Sequence, residues 1–176
     1  MDKKVVVTGC SGFIGFHLSN SLLEADLQVI GIDSLNSAYD VKLKQKRLEI
    51  LDKNNNFTFF NKNLSQENSL NEIKKYDIST IYHMAARAGV RQSFLDPQSY
   101  IEDNTHATAN VANFCKEIEI PEIILASTSS IYGDSGENLM VEEKDEKINP
   151  PSVYASTKLS GESLTKIILE DTNTNL

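Results

Sequence analysis

The sequence predicts an α/β protein: one parallel, doubly wound sheet of about five strands with helices on both faces, in a single domain over residues 1–176. Two observations predict it. Short β-branched or apolar runs alternate with helix-length segments, and the first run passes straight into the glycine turn Gly9-Cys10-Ser11-Gly12-Phe13-Ile14-Gly15, which opens a helix.

Strands are expected at Lys4–Thr8, Gln28–Asp33, Phe57–Asn61, 80–84 and 122–128, and helices at 12–24, 40–51, 65–76, 98–118 and 152–170. Three of the strands are nearly continuous apolar runs, the pattern of strands buried on both faces of a parallel sheet. The helix over 98–118 carries Tyr100, Asn104, Ala107, Val111, Phe114 and Ile118 at spacings of four and three, which gives one inward stripe. Asn104 is the polar exception. A buried amide needs hydrogen-bond partners, so Asn104 is expected to tie the helix to neighbouring backbone, with a direct catalytic role as the alternative. The acidic, glycine-bearing loop over 133–151 is expected to lie beside a ligand site.

Composition excludes several classes. Hydrophobic residues are 40% and charged residues 24%, as in an ordinary globular chain rather than a disordered one. The net charge of −8 and the lack of a basic stripe argue against nucleic acid. Cys10 and Cys115 form neither a redox pair nor a metal spacing, and three scattered histidines add none, so no metal site is expected. No run approaches the ~20 apolar residues of a membrane span, and Val5-Val6-Val7 meets glycine too soon for a signal peptide. The expected compartment is the cytoplasm.

The glycine turn is the first chemical feature. Gly9, Gly12 and Gly15 let the backbone turn sharply and approach a pyrophosphate, whose charge rests on the helix N-terminus. A turn that merely packs helix on sheet is the alternative. Asp33 decides between them: it ends the second strand, 21 residues after Gly12, where an acid accepts hydrogen bonds from the adenosine ribose. It also repels a 2′-phosphate, and Ser34-Leu35-Asn36-Ser37 supplies no arginine to neutralise one. The expected cofactor is NAD rather than NADP, on a Rossmann-like fold.

The second feature is Tyr154 with Lys158, four apart and therefore on one helix face. A nearby ammonium favours phenolate over phenol, which suits a tyrosine to general-base work near neutral pH. A surface pair is the commoner meaning of this spacing. What strengthens the chemical reading is Ser127-Thr128-Ser129-Ser130 at the C-terminal end of the fifth strand, the end where open α/β sheets bind ligands. The alternative for that run is a hydroxyl-rich turn satisfying its own backbone.

These motifs, with His83-Met84-Ala85-Ala86, Ser127-Thr128-Ser129-Ser130-Ile131-Tyr132-Gly133 and Tyr154-Ala155-Ser156-Thr157-Lys158, resemble the extended short-chain dehydrogenase/reductases, the NAD-dependent nucleotide-sugar epimerases and dehydratases. The segments Gly31-Ile32-Asp33-Ser34-Leu35-Asn36 with Tyr39-Asp40, and Arg87-Ala88-Gly89-Val90-Arg91, are most similar to UDP-glucuronate 4-epimerases. The resemblance implies a cofactor set of Gly9, Ser11, Gly12, Phe13, Ile14, Gly15, Asp33, Asn36, Asn63, Leu64, Ala85, Ala86, Arg87, Asn104, Ser127, Tyr154 and Lys158. It implies Tyr154 as base, Lys158 on the nicotinamide ribose, and Thr128 with Ser129 at the sugar. Arg91 faces a sugar carboxylate or phosphate, or is an ordinary loop arginine. Related 4,6-dehydratases carry Thr-Asp-Glu where this chain has Thr128-Ser129-Ser130, so the resemblance favours an epimerase acting on a UDP-sugar.

Three departures stand beside it. Asn63 replaces the family's adenine-binding aspartate, and its amide oxygen can still accept one hydrogen bond. Arg87 replaces an uncharged residue and is expected near the pyrophosphate. The chain also lacks the family's C-terminal substrate lobe, leaving the fifth strand with an open apolar edge and the sugar side without a wall. Relatives pair through the helices at 98–118 and 152–170, so a homodimer is expected. A silent NAD-binding module and a small-substrate oxidoreductase are the competing readings.

Overall fold

The computed structural model describes residues 3–133 and 148–176. Five parallel strands, β1 (Lys4–Thr8), β2 (Gln28–Asp33), β3 (Phe57–Asn61), β4 (Ile78–His83) and β5 (Glu122–Leu125), form one sheet in the order β3-β2-β1-β4-β5. The order reverses direction between β1 and β4, which opens a crevice at their C-terminal ends. Successive side chains on a strand face opposite sides. Val6 accordingly joins a core layer with Ile30, Ile81, Val111 and Phe114, while Val5 and Val7 join the other with Leu23, Val29 and Leu51.

The helices are α1 (Phe13–Glu24), α2 (Val41–Leu51), α3 (Val90–Leu95), α4 (Pro97–Tyr100), α5 (Ala107–Glu117) and α6 (Val153–Leu169). Asp40 caps α2 by accepting from the Lys42 amide at 2.9 Å, and Ser152 caps α6 by accepting from Ala155 at 3.1 Å. Each cap satisfies an orphan N–H of the first turn. The caps place both helices, and with them Lys44 and Lys158, at fixed rotations.

The first three strands have their expected bounds; β4 starts and ends earlier, and β5 stops at Leu125. No α-helix covers 65–76. Asn63 Oδ1 accepts from both the amide and hydroxyl of Ser65, Asn68 is left-handed (φ +60°), and only Asn71–Ile73 makes a 3₁₀ turn. Local side-chain bonds there compete with the helical ladder. The helix expected over 98–118 is three joined pieces: α4, a π-helical segment Ile101–His106, and α5. The short α3 and a 3₁₀ turn at Ser129–Tyr132 were not expected. Most of the loop over 133–151 lies outside the described residues.

The edge of β5 is partly covered. Ile123 N donates to Asn175 O and Asn175 N to Pro121 O, both at 2.9 Å, so the chain's last residues lie parallel beside the start of the strand. Further along, Ile124 is 42% exposed. Among the described residues no helix is long and apolar enough to cross a membrane.

Candidate cofactor cleft and catalytic site

The glycine turn closes against the chain after β4. Gly9 has φ +68°, and a Cβ there would lie 2.8 Å from Ala85 Cα; a Cβ on Gly15 would lie 2.1 Å from Gly9 O. Only glycine permits both the left-handed backbone and the close approach of α1 to the turn. The amide of Gly12 donates to Gly9 O at 2.8 Å, and Phe13 and Ile14 stay exposed at the start of α1.

Asp33 is buried beside this turn. Its Oδ2 accepts from Ser11 N at 3.1 Å and its Oδ1 from Leu35 N at 2.8 Å. Lys44 Nζ lies 3.7 Å from the same Oδ1, donates to Asn36 Oδ1 at 2.8 Å, and sits 4.8 Å over the Tyr39 ring. Arg47 donates to Ser11 O at 3.2 Å and to Tyr39 Oη at 3.1 Å, and Tyr39 Oη itself donates to Ser11 O. A cleft of about 390 Å³ brings together Gly9, Gly12, Asp33, Asn36, Asn63, Leu64, Ala85, Ala86 and Arg87 from the expected set, with Tyr39, Lys44, Lys62 and Asp103 besides.

Two details alter the expectations for this cleft, and a third bears one out. The Asn63 oxygen already accepts twice from Ser65, so its amide N–H groups are what remains for a ligand. Arg87 Nε and Nη2 both bond Asp103 Oδ2, at 2.8 and 2.7 Å, so the arginine brings little net charge. Asn104, 2% exposed, accepts from Arg87 N at 2.7 Å and donates to Arg87 O at 3.2 Å and Thr157 Oγ1 at 3.0 Å. It therefore ties its helix to backbone, and the π segment turns it and Asp103 toward the same loop.

Beneath the turn, His83 is wholly buried. Ala85 N donates to Thr8 Oγ1 at 3.1 Å, and the same hydroxyl is hydrogen-bonded to His83 Nδ1 at 2.8 Å. His83 Nε2 is hydrogen-bonded to Thr108 Oγ1 at 3.0 Å. Burial, helped by the charge of Lys158, pushes its pKa down to about 3.

Tyr154 and Lys158, expected at the cofactor, do not line the cleft of about 390 Å³. Tyr154 packs edge-to-face on Tyr100 with ring centroids 6.4 Å apart. Tyr100 Oη donates to the carbonyls of Ala88 and Gly89 at 2.8 and 2.9 Å, so Tyr154 is anchored to the loop that follows Arg87. Lys158 is buried, 5% exposed; burial lowers its pKa to about 8, with Glu162 acting in the opposite sense. It is still mainly an ammonium at neutral pH. The hydroxyl run borders a separate cavity of about 730 Å³ along β5, shared by Ser127, Thr128, Ser129, Tyr132 and Glu162. Ser127 Oγ donates to Glu162, and Thr128 Oγ1 accepts from Ser130 N at 3.2 Å; among the described residues the Thr128 hydrogen has no acceptor. Arg91 is exposed on α3 and borders neither cavity.

The sequence reading passed over Lys44, Arg47 and Asp103, and it quoted Tyr39 and His83 within motifs without giving them a role. A signal existed for Lys44: it shares the inward face of α2 with Leu48 and Leu51, at spacings of four and three, where a lysine is out of place.

The model of the NAD-dependent epimerase/dehydratase family matches residues 5–176. An uncharacterised protein of Methanocaldococcus jannaschii is 42% identical over 94% of the chain and 51% of its own length. The UDP-glucuronate 4-epimerase of Thermodesulfobacterium geofontis is 41% identical over 90% of the chain and 49% of its own length. Among solved structures, the UDP-glucuronic acid 4-epimerase of Bacillus cereus in complex with UDP-glucuronic acid and NAD aligns with a TM-score of 0.87 and 35% identity, over 97% of this chain and 54% of that one. The chain thus spans about half the length of the curated relatives it matches. By this match over residues 5–176, the chain belongs to the NAD-dependent epimerase/dehydratase family.

Proposed function

We propose that the chain is the NAD-binding part of a UDP-sugar 4-epimerase. The single observation that carries this is the continuous cleft from Asp33 over the glycine turn to Arg87, with Tyr154 anchored through Tyr100 to the same loop. The residues fit the cofactor: Gly9 and Gly15 stand where any side chain would collide, and Asp33 is buried and oriented by two backbone N–H groups. Asp33 takes the adenosine ribose, the first turn of α1 takes the pyrophosphate, and Lys158 takes the nicotinamide ribose. NAD, when bound, supplies a hydride acceptor that can return the hydride to the same carbon.

Tyr154 takes and returns the proton of the sugar 4-hydroxyl. Thr128 keeps its hydroxyl hydrogen for the sugar, because the Ser130 amide already supplies its acceptor side. The Ser129-Ser130 pair offers no acid for elimination, which supports epimerisation over dehydration. The relatives' UDP-sugars support the same substrate class here. Exposed Phe94, Leu95, Ile101 and Ile167 on the helices from α3 to α6 support a homodimer, and a cytoplasmic setting suits the substrate.

A second reading, an NAD-binding module that turns nothing over, is favoured by the open cavity beside Ser127–Ser129. Incubation with NAD⁺ and UDP-glucuronate followed by chromatography separates the two. UDP-galacturonate is the expected product; measurable NAD⁺ binding with no epimer leaves the second reading.

A further inference from the structure

The adenosine end of the cleft is not governed by Asp33 alone. An acid at the end of β2 repels a 2′-phosphate by its charge, and this repulsion is the usual ground for NAD preference. Here Lys44 places an ammonium 3.7 Å from the Asp33 carboxylate, and both side chains are nearly excluded from solvent, at 6% and 7% exposure. For a third charge about equally far from both groups the two charges offset each other, and for one nearer the ammonium the attraction wins. The ammonium is held from three sides: by Asp33, by the Asn36 carbonyl oxygen, and by the face of Tyr39. It is therefore fixed in the cleft wall rather than swinging in solvent. One turn along α2, Arg47 adds a second cation at the Ser11 carbonyl, while Lys62, which borders the same cleft, is paired with Glu72. With the Asp33–Lys44 and Lys62–Glu72 pairs balanced, Arg47 leaves this end with positive charge, although the residue that ends β2 is an acid.

We infer that Lys44 is a specificity-determining residue, which neutralises Asp33 and offers an N–H to a ribose 2′-phosphate, so that discrimination between NAD⁺ and NADP⁺ is set by the pair and not by the acid. The inference rests on the reading of this cleft as a dinucleotide site. Asn36 takes part by fixing the ammonium, since its side-chain oxygen is the nearest acceptor.

The test is calorimetric titration of the folded chain with NAD⁺ and NADP⁺, repeated with AMP and adenosine 2′,5′-bisphosphate, which isolate the phosphate from the nicotinamide. In Lys44→Met, affinity for the 2′-phosphorylated ligands should fall about tenfold more than affinity for their partners, the equivalent of about 1.4 kcal/mol. Lys44→Gln, which keeps a hydrogen-bonding amide, should shift the ratio the same way, and Lys44→Arg should keep it near wild type. In the wild-type chain the ratio should move against NADP⁺ as salt rises. An equal fall for both ligands in Lys44→Met and Lys44→Gln, or an unchanged salt ratio, assigns Lys44 a packing role and overturns the inference. Loss of the ratio in Lys44→Arg as well overturns it too. Failure of the wild-type chain to bind any of the four ligands overturns the cleft reading first, and this inference with it.

Discussion

The two ends of the β1–β5 half of the sheet differ in how completely they are finished. At β1 and β2 the glycine turn is locked against Ala85, Asp33 accepts two backbone N–H groups and a lysine, and the cleft of about 390 Å³ has walls from five segments of chain. At β5 the cavity is about 730 Å³, Ile124 is 42% exposed, and among the described residues only Asn175 pairs with the outer strand edge. Backbone sterics and buried hydrogen bonds fix the cofactor side from within the chain. The cavity at β5 is bordered by the hydroxyls of Ser127, Thr128 and Ser129. The cleft over the glycine turn is thus closed by the sheet's own loops, whereas the cavity at β5 stays open.

That contrast predicts a gradient of sensitivity. Gly15→Ala, on the closed side, forces a Cβ to 2.1 Å from Gly9 O and should cost about 3 kcal/mol in denaturant unfolding, with NAD⁺ binding lost. Asn104→Ala leaves Arg87 N, Arg87 O and Thr157 Oγ1 short of a partner each and should cost about 2 kcal/mol in the same assay.

Acid should act through His83. Its folded pKa, about 3, lies below the ordinary 6.5, so the unfolded chain binds the proton more readily. Stability is full above pH 6.5 and declines as pH falls toward 3, by about 2 kcal/mol between pH 7 and pH 5. A melting series across that range checks it, and a flat profile contradicts the buried neutral imidazole. Lys158 acts at the other end: with its pKa lowered from 10.5 to about 8, stability should rise as pH climbs from 8 toward 10.5. The smallest effect belongs to the open edge. Ile124→Thr should change stability by no more than about 0.5 kcal/mol, because the side chain is already half in water.

Much of the closed side was legible in the sequence because its signals are local. Val5-Val6-Val7 running into Gly9 fixes a strand and a turn together, and Asp33 follows at the end of the next apolar run. Asn104 could be read as a tie between helix and backbone because an amide on an apolar stripe must find partners. The segment 65–76 misled because its length allowed a helix, while Asn63 and Asn68 favoured turns. The π segment was invisible, since Ile101–His106 keeps an ordinary helical pattern and its extra width shows only in backbone bonds. Lys44 escaped because charge near Asp33 was sought in the adjoining loop, whereas the fold delivers it from the next helix, eleven residues on.

The central claim is that this chain, through Gly9, Gly15 and Asp33, holds a dinucleotide by itself. Calorimetric titration of the folded chain with NAD⁺ tests it most directly. Saturable binding of one NAD⁺ per chain, weakened at least about tenfold by Asp33→Ala, is the predicted result. A folded chain that gives no binding heat with NAD⁺ at any temperature tried, or that binds it equally well after Asp33→Ala, would contradict it.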